Sequence, residues 1–178
     1  MALPIGCLAN AVLGPVSQYD AGLYQWAAGR YAADYPVIPG LANLYAPLGY
    51  GGAQPVFEGL MASTPWGVNG LRLVNGAFLV LLALETLTRL AVKPKAAGTA
   101  VALVGSVIAF VPMMWMADFW VASPTPDVPV LVLGLVAATY WTDFISGHPN
   151  SRQVSPDPLP ILIIVCGLLI ALRPTMVP

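Results

Sequence analysis

Residues 96–116 read AAGTAVALVGSVIAFVPMMWM, 21 positions without a charged side chain. A helix rises about 1.5 Å per residue, so about 20 such residues cross the hydrocarbon core of a bilayer. Gly98, Ala102 and Gly105 fall at helical spacing within this run. They form a small-residue face on which a neighbouring helix can pack closely. That face predicts a helical partner, and with it a bundle rather than a lone anchor.

The rest of the composition agrees. The chain has 178 residues, 58% hydrophobic and 8% charged, with a mean hydropathy of +0.77. Soluble domains carry roughly 25% charged residues, so this chain has lipid as its main solvent. The net charge is −1, and no basic run is present to neutralise a nucleic-acid backbone. Cys7 and Cys166 lie far apart, the latter inside an oily run, which argues against a disulfide framework. No solenoid-type repeat is visible. The predicted class is all-α, a polytopic transmembrane bundle of about four spans. Residues 69–178 form the bundle, and residues 1–68 an outer-side loop bearing short amphipathic surface helices.

The other spans are read outward from the first. Asn69 to Val92 has a strongly apolar centre, with Glu85 and Arg89 four apart and so placed to form a local ion pair. Arg89, Lys93 and Lys95 hold three of the seven basic side chains. By the positive-inside bias they mark a cytoplasmic turn. Pro129 to Phe144 and Leu159 to Leu172 complete the set, both short for a crossing. Alternation then places the residues before Asn69, and the loop carrying Asp118 and Asp127, on the outer side.

Met1 to Val16 is apolar but lacks a basic start, and Pro4, Gly14 and Pro15 interrupt it. It fits neither a signal peptide nor a full span. It reads as the tail of a helix entering a loop, and hence the chain as a portion of something longer. Asp20 heads an amphipathic helix to Tyr35, with Leu23, Trp26, Ala27 and Tyr31 on its apolar side. Pro36 and Pro39-Gly40 stop it. A second surface helix, Gln54 to Ser63, follows, with Val56, Leu60 and Met61 as its apolar side. Both suit a membrane interface.

Each polar outer residue has an ordinary structural role. Asp20 and Asp127 stand where helix N-caps stand. Asp118 beside Phe119 and Trp120 fits a water boundary, and Arg173 fits an interfacial cation. His148 has no cluster around it, which gives a histidine metal site no support. No Walker loop, nucleophile elbow or HExxH occurs.

Three further sets of residues carry a family resemblance. They are Tyr19-Asp20-Ala21-Gly22-Leu23-Tyr24 with Tyr35 to Leu44, then Arg72-Leu73-Val74-Asn75-Gly76, then Ser123 to Asp127 and Leu172-Arg173-Pro174-Thr175. Their order resembles bacterial polytopic proteins of the GT-C glycosyltransferase type, as an N-terminal portion of that fold. Gln25 stands where the similar proteins often have His, and Tyr45 to Tyr50 replaces a more polar stretch.

The resemblance implies a multi-pass protein of the bacterial plasma membrane that moves a sugar from an isoprenoid-phosphate donor to an acceptor on the outer face. It implies Asp20 as general base or ligand of a divalent metal ion, and Asp127, or second Asp118, as a further acidic residue. Arg173 would offset the lipid phosphate. The implied partners are membrane lipid, the lipid-linked sugar, and further chain or a partner membrane subunit. The competing expectation is a non-catalytic small membrane subunit or scaffold.

Overall fold

The computed structural model describes residues 2–35, 39–49, 52–146 and 158–173, which are helical with no strand among them. The Pro36 turn, the His148 and Arg152 loop, and Pro174-Thr175 lie outside the described residues. Helix α1 (Ala2–Val12) leads through an extended link to a π-helical turn at Ala21–Gln25, which runs straight into α2 (Trp26–Asp34). A single turn, α3 (Leu41–Leu44), precedes α4 (Gln54–Ala62). A 3-10 stretch at Gly67–Arg72 then opens α5 (Leu73–Val92). Helices α6 (Ala97–Trp115), α7 (Ala117–Trp120), α8 (Asp127–Ser146) and α9 (Leu159–Leu172) follow.

Among the described residues, three helical stretches are long and apolar enough to cross a membrane: Gly67–Val92, Ala97–Trp115 and Asp127–Ser146. The third is longer than the sequence predicts, starting at Asp127 rather than Pro129. The expected fourth span falls short by length, because α9 has 14 residues. That run covers about 21 Å of the roughly 30 Å hydrocarbon core.

Leu79 and Leu82 of α5, Ala109 of α6 and Val128 and Val132 of α8 form the centre of the core. Leu8 and Val12 join it from α1, whose Val12 leaves no room for a side chain on Gly76. The small-residue face of α6 is used within the chain. A Cβ on Gly98 would meet the Thr139 carbonyl oxygen at 2.5 Å, and one on Gly105 would meet Leu135 at 2.8 Å. Its helical partner is therefore α8. The opposite side of α6 exposes Leu103, Val104, Val107, Ile108 and Val111, the arrangement of a helix whose solvent is lipid. At the Lys93 end the predicted Glu85–Arg89 pair forms at 2.5 Å. Asp143 of α8 adds a second carboxylate to the same arginine, also at 2.5 Å.

The surface helices carry an inverted pattern. Helical backbone begins at Tyr19 and continues to Asp34, close to the predicted extent. The buried positions are Ala21, Gln25 and Gly29, while Leu23, Ala27 and Tyr31 are exposed. Helix α4 likewise turns Gln54, Glu58 and Gly59 inward and leaves Val56 and Leu60 outward. The two helices pack through their polar and glycine faces, and most of the apolar side predicted for each points away from the protein. Helix α4 is also tied to α9: the Ala53 N–H donates to the Ala171 carbonyl at 2.7 Å.

Candidate functional site

Arg72, at the entrance to α5, organises the end of the bundle opposite Lys93. Its Nη2 donates to the Gly14 carbonyl at 2.6 Å and its Nη1 to the Leu13 carbonyl at 3.4 Å. These are acceptors left open where α1 ends. Its guanidinium also lies 5.6 Å from the centre of the Trp26 ring, within cation–π range. Arg72 thus fastens the chain on both sides of Ser17 to Asp20. The Ser17 N–H donates to the Asp118 carbonyl at 3.0 Å, joining that segment to the loop after α6. One turn into α5, the buried Asn75 donates from Nδ2 to the carbonyls of Trp120 (2.9 Å) and Ser123 (2.7 Å), holding the same loop from the other side.

Asp20 sits at the start of the π-helical turn with φ −63° and ψ −25°. An N-cap residue has extended backbone and a side-chain oxygen on an amide of the first turn. Asp20 is already helical and makes no such bond. Its half-buried carboxylate has no hydrogen-bond or ion-pair partner among the described residues. The N-cap role expected for it is unfilled.

Asp127 and Arg173 are brought together. Arg173 Nη1 donates to Asp127 Oδ1, joining the start of α8 to the end of α9, with both side chains partly exposed. Thr125 Oγ1 donates to Asp127 Oδ2 at 3.0 Å, so both oxygens of this carboxylate are engaged. Asp127 is the first residue of α8 rather than the residue before it. Asp118 is exposed within the single turn α7 and contributes its backbone carbonyl. Among the described residues, no three His, Cys, Asp or Glu side chains form a group able to hold a metal ion.

Several polar groups here went unassigned in the sequence. The side-chain oxygens of Gln18, Gln25 and Asn75 and the Nε of Arg72 are buried without a protein partner. Buried polar atoms normally find protein or water partners, so these four can receive water or hydroxyl groups. Arg72 and Asn75, three apart at the mouth of an apolar span, are the signal that points to them. Glu58 carried no apolar-face or charge-pair signal. It is 1% exposed. Burial pushes its carboxyl up from the ordinary 4.5 to about 9, against the opposing hydrogen bond from Gln54. It is protonated at neutral pH. Gln54 Nε2 donates to its Oε1 at 2.9 Å.

No curated protein and no solved structure matches the chain. The family described as "Domain of unknown function (DUF8201)" matches residues 2–178, and the chain belongs to that family.

Proposed function

We propose that the protein is a GT-C-like glycosyltransferase of the bacterial plasma membrane, moving a sugar from an isoprenoid-phosphate donor to an acceptor hydroxyl on its outer face. In this reading α9 is the fourth crossing, and the lobe from Ser17 to Arg72 lies outside. The partners are membrane lipid, the lipid-linked sugar and further membrane helices from additional chain or a partner subunit. The observation that carries the reading is Asp20, a carboxylate without a partner among the described residues, at the head of a surface helix whose flanks Arg72 holds in place.

The step is an inverting displacement. The Asp20 carboxylate takes the proton of the acceptor hydroxyl as that oxygen bonds to the sugar's anomeric carbon. The bond from that carbon to the phosphate oxygen breaks, and the electron pair leaves with the phosphate. Arg173, which pairs with Asp127, would offset the charge that develops on the leaving phosphate. The step runs through the Asp20 carboxylate as base; a divalent ion would be held by that carboxylate together with phosphate oxygens of the donor.

The test is sugar transfer from a polyprenyl-phosphate sugar in membranes carrying the full protein, wild type against Asp20→Asn at matched expression. Loss of a general base lowers the rate by roughly 10²–10⁴-fold. Thermal stability stays level, since the carboxylate has no bond to lose. Transfer within a few-fold of wild type removes Asp20 from the chemistry. A wild-type protein silent with every polyprenyl-phosphate sugar makes the chain a non-catalytic membrane subunit.

A further inference from the structure

Asn75 spends one side of its amide on the protein and keeps the other. Its Nδ2 donates to the carbonyls of Trp120 and Ser123, which fixes the amide's orientation and turns Oδ1 away from both. Oδ1 is buried and has no partner among the described residues. The same holds for Nε of Arg72, one helical turn back, and for Oε1 of Gln18 and of Gln25. Asn75 is 1% exposed and Gln25 7%. A buried polar atom without a partner is costly, so four such atoms at one end of the bundle need a common explanation.

The backbone gathers them. Arg72 holds the Gly14 carbonyl, the Ser17 N–H holds Asp118, and Asn75 holds Trp120. With the short segments between, these bonds close a ring: Gly14 to Ser17, across to Asp118, on to Trp120, across to Asn75, and back one turn to Arg72. Gln18 follows Ser17 directly. Gln25 precedes Trp26, whose ring lies 5.6 Å from the Arg72 guanidinium. Residues 15–18 belong to no helix and Gln18 is half-buried, so its side chain can turn aside to admit a ligand. Asp20 lies between the two glutamines in the chain.

Three acceptor oxygens and one N–H restrict what fits. A phosphate or carboxylate would set its own oxygens against three acceptors, and an ammonium group would lie beside the guanidinium. A neutral hydroxyl both donates and accepts, and neighbouring hydroxyls of one molecule can serve all four atoms. We propose that Gln18, Gln25, Arg72 and Asn75 form a sugar subsite that binds the hydroxyls of the donor's sugar beside Asp20. Naming the donor as the source rests on the transfer reaction proposed above, whereas the binding of a polyhydroxyl group does not.

The test is a binding titration of the purified full protein in a nonionic detergent, with turnover not required. The probes are bare polyprenyl phosphate and polyprenyl-phosphate glucose, mannose, galactose and arabinose. At least one sugar should tighten binding by roughly 10-fold or more over the bare phosphate. Gln25→Met and Gln18→Met, which keep side-chain length and remove the oxygen, should each lower that gain by roughly 5-fold. Both should bind the bare phosphate like wild type and unfold at the same or a higher temperature, since the lost oxygen had no partner. Equal binding of bare and sugar-bearing phosphates by wild type overturns the proposal. So do variants that keep the full gain, and variants that unfold earlier, whose oxygens then serve internal water alone. Sugar-dependent binding by a protein silent in transfer keeps the subsite and removes the reaction.

Discussion

Gly29 of α2 lies directly on the carboxyl of Glu58: a Cβ built there would stand 2.5 Å from Glu58 Oε2 and 3.0 Å from Leu71. One tight seam between α2 and α4 is therefore a glycine against a protonated acid. The acid remains protonated because the helices that enclose it keep water out.

That burial sets a pH dependence. The folded-state value of Glu58 is raised from 4.5 to about 9, so the folded protein holds a proton that the unfolded chain releases. This contribution to stability is complete below about pH 4.5 and declines as pH rises towards 9. Glu58→Gln, which keeps the shape and cannot ionise, should flatten the fall. Thermal unfolding in detergent at pH 5, 7 and 9 measures it. Parallel curves for the two proteins would show that Glu58 does not carry the proton.

Gly59 makes the matching contact from α4. A Cβ there would lie 2.8 Å from the Ala33 nitrogen and 2.9 Å from the Ala32 carbonyl carbon. Backbone cannot rotate aside, so the helices must separate. Gly59→Ala should destabilise by about 1–3 kcal/mol. A Cβ on Gly134 of α8 would meet nothing within 4 Å, and Gly134→Ala should be neutral or stabilise by up to about 1 kcal/mol. Unfolding midpoints of the two variants compare them directly, and equal midpoints would refute close packing at Gly59.

The Asp127–Arg173 pair is partly exposed on both sides. Pairs of that kind contribute about 0–1 kcal/mol. Arg173→Ala should therefore shift the unfolding midpoint little while lowering transfer from a lipid-phosphate donor by a much larger factor. Exchanging the charges, Asp127→Arg with Arg173→Asp, should restore the pair and leave transfer low. Full transfer by the exchanged protein would show that the pair only joins α8 to α9.

Val56 and Leu60, 64% and 62% exposed on α4, should rest among lipid. Cysteines placed there should react slowly with a charged maleimide in vesicles and quickly once detergent-solubilised protein is partly delipidated. A cysteine at Asn43, exposed on α3, is the aqueous reference. Equal rates at all three positions in vesicles would place α4 in water.

How much of this was legible beforehand follows from which residues carry a local signal. The crossing at Ala97–Trp115 was plain because length and absence of charge act within one segment. The Glu85–Arg89 pair was plain because its members are one helical turn apart. Periodicity also grouped Val56 with Leu60, but a period says which residues share a face, not which solvent that face meets. The inward side of α4, Gln54 and Glu58, was hidden for that reason. Asp127 and Arg173 were each marked, yet their pairing depends on α9 returning beside α8, a relation between distant segments. The uncapped, helical state of Asp20 needed the backbone angles of the π-helical turn, which its composition does not announce.

The hydrogen bond from Ala53 to Ala171 also orders the protein's manufacture. The lobe from Ser17 to Arg72 is translated early, but α4 finds its acceptor only when the end of α9 has been synthesised. A Cβ on the neighbouring Gly52 would stand 2.7 Å from the Leu172 carbonyl oxygen, so the docking is close as well as late. Such distant contacts form after the local ones. Glu58 needs no such wait, because Gly29 and Leu71, which enclose it, belong to the same early-made segment. What waits for the last described helix is the N-terminal end of α4, which docks on α9 through Ala53 and Gly52.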